Sequence, residues 1–176
     1  MAETGFAKFS SREVAKRIGY SVGTLYNVFG SYDRLIAAIN TRTFDLWAAF
    51  LERRLASNPA DRIAALVEGY FSFAQDNMNI WMAIYDHRLP PGVPLPEDYA
   101  RQRAGLTEVV VREVAAVLPP HTRDVASRLA RSLVATVHGH CTFALNGSFA
   151  LLGETDPLEM ATARVKESLR AAGANL

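Results

Sequence analysis

The sequence predicts an all-α protein, and three observations carry that prediction. The helix formers Ala, Leu, Arg and Glu dominate the 176 residues. Alternating runs of β-branched residues are absent, since Val109-Val110-Val111 falls inside a helical pattern. Gly, Ser and Pro punctuate the chain at helix-length intervals.

The elements follow in order from their punctuation. Ser10 or Ser11 caps a first helix running through Ile18, with Val14, Ala15 and Ile18 on one face and Arg12, Lys16 and Arg17 mostly off it. Gly19 stops it as a left-handed residue would, and Ser21 caps a short second helix from Val22 to about Val28. Gly30 ends that piece, and Ser31 caps a long helix to about Ser57. Asn58-Pro59 breaks the chain before aromatic-rich helices over Ala60–Asn77 and Met78–Arg88. The proline-rich run Leu89–Pro96 is a loop. Helices over Glu97–Leu118, from about His121 to Asn146, and, after a glycine-containing loop, from Pro157 to about Ala172 complete the chain.

Size and composition narrow the possible functions. A hydrophobic content of 49% fills a substantial core, and the single Cys141 excludes an internal disulfide and fits a reducing compartment. No basic-then-apolar leader opens the sequence, which leads to the expectation of a cytoplasmic protein. Residues 1–55 carry eight Lys/Arg against five Asp/Glu, and residues 56–176 eleven against thirteen, so the net charge of +1 splits into a basic head and an acidic body. That asymmetry suggests a polyanion at the amino-terminal end.

The short second helix suits that partner. Two helices joined by a tight glycine turn form a helix-turn-helix, whose second helix lies in the DNA major groove. Leu25, Val28 and Phe29 would hold this helix on the body. Ser21, Thr24, Tyr26 and Asn27 would face outward, with Gly23 allowing close approach to phosphate. An ordinary helical corner with a polar outer surface fits the spacing equally well.

Residues Phe9–Leu35 resemble the DNA-binding domain of the TetR family of bacterial transcriptional repressors. Ser11, Val14, Ala15, Gly19, Ser21, Gly23, Thr24, Leu25, Tyr26, Phe29, Ser31 and Leu35 stand at the family's motif positions. The resemblance implies a domain over 1–45 that contacts DNA through Ser11, Arg12, Val22, Gly23, Thr24, Tyr26, Asn27 and Tyr32. Over 46–176 it implies a ligand-binding and dimerisation bundle. Tyr32 stands where the family usually has a phosphate-contacting lysine. The family's first helix is essentially missing, with only Glu3 and Gly5-Phe6 matching its tail. "TVHGHCTFALNG" (136–147) resembles the Val/Trp-His-Gly segment of one TetR carboxy-terminal domain type.

The body supplies the remaining expectations. From Ser132 to Gly153 no residue is charged, which predicts a helix buried against its own core and against a partner subunit. Leu133 and Val137 in that stretch, with the stripe Leu158, Ala161, Val165 and Leu169, are the candidate homodimer interface. Tyr70, Phe71, Trp81 and Tyr85, from an aromatic cluster that also holds Phe73, Met78 and Met82, are candidate contacts for a small apolar or aromatic effector, with His138 as a further contact or a core histidine.

No metal is expected. His138 and His140 diverge on a helix, and His138 with Cys141 lacks a third ligand. Nor is a cofactor or an enzyme expected: Cys141 has no nearby cations to activate it, and Glu97, Asp98, Glu108 and Glu113 are read as solvated acids. The reading is therefore a regulator, most often a repressor in this family, that leaves a palindromic DNA operator when an effector binds. A binding protein without DNA affinity and a helical-bundle enzyme are the alternatives.

Overall fold

In the computed structural model, which describes all residues except Asn58, Val93 and Leu95, the described residues form helices and no strand. The predicted break at Asn58 and part of the Leu89–Pro96 loop therefore lie outside the described residues. The chain clusters into two compact units, Met1–Leu46 with Asn77–Ala104, and Trp47–Asp76 with Gly105–Leu176.

The first unit begins with turns. Gly5 N–H donates to Met1 O at 2.9 Å and Phe9 N–H to Phe6 O at 3.0 Å. Helix α1 (Ser11–Arg17) is capped by Ser10, and α2 (Val22–Phe29) by Ser21, whose Oγ accepts from Thr24 N–H at 3.1 Å. Gly19 (φ 76°) and Gly30 (φ 85°) end these helices in the left-handed region that a side chain would disfavour. Ser31 Oγ then accepts from Arg34 N–H at the start of α3 (Tyr32–Ala56). Helix α5 (Met78–Asp86) belongs to this unit, where Asn40 Nδ2 donates to Ala83 O at 3.1 Å and His87 Nε2 lies 2.9 Å from Asp33 Oδ1. Ala15, Leu25, Leu35, Ile36, Trp81 and Ile84 are buried.

The second unit packs the end of α3 with α4 (Arg62–Asp76), the later part of α6 (Glu97–Val117), α7 (Ala126–Leu145), α8 (Ser148–Leu151) and α9 (Pro157–Ala171). Asp61 and Asp156 cap α4 and α9 by accepting from Ala64 and Glu159 N–H at 2.8 and 2.9 Å. Helices α3 and α4 approach closely at Gly69, where a Cβ would stand 2.6 Å from Leu51 Cδ2. Above that contact Trp47 stacks on Phe73 at 5.0 Å and meets the edge of Tyr70 at 4.6 Å.

Several expectations require correction. The segment Pro120–Val125 is a 3-10 helix and α7 starts at Ala126, because Pro119 is extended and Thr122 bonds back to its carbonyl. Helix α5 stops at Asp86, two residues short of Arg88, and the loop after α7 contains the short α8. Glu113 is not solvated: it is 4% exposed and takes hydrogen bonds from Arg62 (2.7 and 2.9 Å) and Arg112 (2.9 Å). These two guanidinium groups hold its carboxyl below its ordinary value against the opposing effect of burial.

Candidate nucleic-acid interface and ligand cavity

Helix α2 turns one polar face outward. Gly23 and Asn27 are exposed, Val22, Thr24 and Tyr26 half-buried, and Leu25 is buried beneath them. Val28 departs from its expected place: at 72% exposure it faces solvent instead of holding α2 on the body. The hydroxyls of this face are ordered by one another. Ser21 Oγ lies 2.9 Å from Thr24 Oγ1, and Ser11 Oγ 2.9 Å from Tyr26 OH. Partial burial, then the proximity of Tyr26 and Asp33, pushes the Tyr32 hydroxyl up from its ordinary value. It therefore stays protonated at neutral pH and can donate one hydrogen bond. Lys8, Arg12 and Lys16 of the same unit are exposed, and Arg17 pairs with Glu3 at the surface at 3.0 Å. All eight positions expected at DNA thus fall on the first unit, with Arg12, Gly23 and Asn27 exposed and the others partly so.

The expected effector residues are divided between the two units. The second unit encloses an apolar cavity of about 40 Å³, walled by Leu51, Leu66, Tyr70, Val114, Val137 and Val165 among others. Tyr70 is the member of the expected set on this wall. His138 stands beside it, its Nδ1 3.1 Å from Tyr70 OH, and burial pushes the His138 pKa down, so the ring is neutral at pH 7. Phe71 is buried in the same unit but lines a separate surface groove with Phe149 and Leu158. Trp81 and Tyr85 belong to the first unit, ring to ring at 5.2 Å.

The residues expected at the dimer interface pack inside the second unit. Leu133, Val137, Ala161, Val165 and Leu169 are buried within a single chain, where α7 packs on α9 and both pack on α4. Leu158 is half-buried. The outward face of α7 shows Ser132, Ala135, Gly139 and Phe143. A Cβ on Gly139 would meet nothing within 4 Å, and Leu151 just beyond is 90% exposed.

Cys141 is buried, which pushes its thiol up to about 12 and leaves it inert at neutral pH. Among the described residues no group of three His, Cys, Asp or Glu gathers to hold a metal. No helix among them is long and apolar enough to cross a membrane.

Comparison with known proteins adds to this geometry. The sequence pattern described as "Bacterial regulatory proteins, tetR family" matches residues 1–39. That of the "Tetracyclin repressor-like, C-terminal domain" matches residues 63–167, more than half of the chain. The chain belongs to the TetR family. Its fold is similar to that of a protein of unknown function from Rhodococcus sp. RHA1, 25% identical, with a TM-score of 0.74 over 99% of this chain and 88% of that one. It is also similar in fold to a candidate regulatory protein, SCO4313, 24% identical, with a TM-score of 0.66 over 93% of this chain and 84% of that one. No curated protein sequence matches. As a TetR-family member the chain is a transcriptional regulator, a class whose members generally bind DNA and are not enzymes.

Proposed function

We propose that this regulator is a ligand-responsive repressor that binds a palindromic DNA operator as a homodimer and leaves it when a small apolar or aromatic molecule enters the body. The observation that carries the DNA half is the outward polar face of α2, with Gly23, Thr24 and Asn27 above the buried Leu25 and exposed cations on α1. Thr and Asn read base edges, while Ser11, Arg12, Tyr26 and Tyr32 bond phosphate. In a two-fold dimer the recognition helices must enter successive major grooves, about 34–36 Å apart, so a splay of a few ångströms releases the operator.

The effector half rests on the apolar cavity beside Tyr70 and His138. At about 40 Å³ it has room for no more than a few waters, so an effector selects a more open body. Dimerisation through the outward face of α7 follows from its small residues and Phe143, with Leu151 and Leu152 alongside. The experiment is a mobility-shift titration on the DNA upstream of the protein's own coding sequence, with light scattering on the same sample. A dimer that shifts this DNA and ignores a scrambled duplex supports the proposal. A monomer, or equal binding to both duplexes, refutes it.

A further inference from the structure

The first unit contains a second pocket, of about 380 Å³, lined by Ala37, Asn40, His87, Arg88, Leu89 and Arg103. Its chemistry is the opposite of the apolar cavity's. Arg103 is half-buried, its guanidinium 4.8 Å over the ring of Phe44, and among the described residues no carboxylate pairs with it. Burial without a counter-charge destabilises its charged form, and the contact with one aromatic face offsets only part of that cost. The nearby carboxylate of Asp33 is already engaged by His87. Arg88 adds a second, exposed cation. Asn40 is 2% exposed and spends its Nδ2 on Ala83 O, while its Oδ1 is buried with no partner.

The structure assigns this pocket to a small organic anion: a carboxylate that pairs with Arg103 and Arg88 and carries an O–H or N–H donor for Asn40. A guanidinium holds a carboxylate through two parallel N–H···O bonds, which strengthen away from water. Ala37 and Leu89 offer apolar surface to the remainder of such a molecule. This goes beyond the effector proposed above, which is apolar and sits in the other unit.

Calorimetric titration of the full chain with 4-hydroxybenzoate, against uncharged 4-hydroxybenzamide, tests the assignment. The acid is expected to bind with a Kd below about 1 mM and the amide at least about tenfold more weakly. Arg103→Gln should weaken the acid about tenfold and leave the amide unchanged. Arg88→Gln, at an exposed position that cannot cost the fold, should weaken the acid about threefold. The assignment is overturned if acid and amide bind alike, if the acid does not bind, or if both arginine variants bind it as the wild type does.

Discussion

Replacing Glu113 with Gln breaks a junction that ties three helices of the second unit. Glu113 on α6 accepts from Arg62 Nε and Nη2 at 2.7 and 2.9 Å and from Arg112 Nε at 2.9 Å. Arg112 reaches on to Glu52 of α3 at 2.7 and 3.0 Å, and Arg62 to Leu55 O at 3.0 Å. Removing one partner of a buried ion pair costs about 3–5 kcal/mol. Both guanidinium groups reach solvent and keep other partners, which brings the expected loss to about 2–3 kcal/mol. That corresponds to a fall in Tm of roughly 4–12 °C for a chain of this size. The pH dependence carries a sign of its own. The Glu113 carboxyl is held below its ordinary 4.5, first by Arg62, so its contribution is complete above that pH and fades as pH falls through the folded value. The gap between wild type and Glu113→Gln should therefore be widest near pH 7 and shrink below 4.5. Urea denaturation followed by circular dichroism from pH 7 to 3.5 measures both. A loss under about 1 kcal/mol with no narrowing in acid would refute the buried-junction account.

Other expected outcomes test separate parts of the molecule. Phe143→Arg should give a folded monomer by light scattering, whereas Val165→Glu places an unpaired carboxylate in the subunit core and should unfold the body; a folded monomer from Val165→Glu would put the dimer interface on the α9 stripe instead. Gly30→Ala forces a side chain to φ 85° and should cost about 1–2 kcal/mol by thermal melting; an unchanged Tm would show that the turn relaxes without strain. Burial lowers the His138 pKa from 6.5, so its contribution to stability is present above 6.5 and lost as pH falls below it. His138→Gln should flatten that part of the decline in a pH series of melts, and an unaltered slope would place the titration elsewhere.

Local chemistry was the legible part of this sequence. Ser10, Ser21, Ser31, Gly19 and Gly30 act within four residues of themselves, and each caps or ends the helix expected of it. The outward face of α2 was legible because its polar side chains stand over a single buried leucine. What depends on the far side of a contact was not. The separation of 51 positions between Arg62 and Glu113 hides a junction that looks in sequence like a solvated acid. From Ser132 to Gly153 every face of α7 lacks charge, so periodicity offers two apolar faces, and packing against α9 and α4 selects Leu133 and Val137 as the inner one. Val28 shows the same limit: its spacing matches Leu25, yet nothing on α1 reaches over to cover it. Trp81 and Tyr85 belong to the first unit and Tyr70 to the second because α5 clusters with the first unit, which no local pattern announces.

The most direct test of the regulator account is the salt dependence of binding to the upstream duplex, followed by fluorescence anisotropy for wild type, Arg12→Ala and Asn27→Ala. The account predicts a linear fall of log K with log salt, with a slope of about −0.9 per phosphate neutralised. Arg12→Ala should make that slope shallower by about 1 per subunit, and Asn27→Ala should keep the slope while losing preference over a scrambled duplex. A wild-type affinity that does not respond to salt, or an Asn27→Ala variant with full preference, would contradict the placement of α2 in the groove.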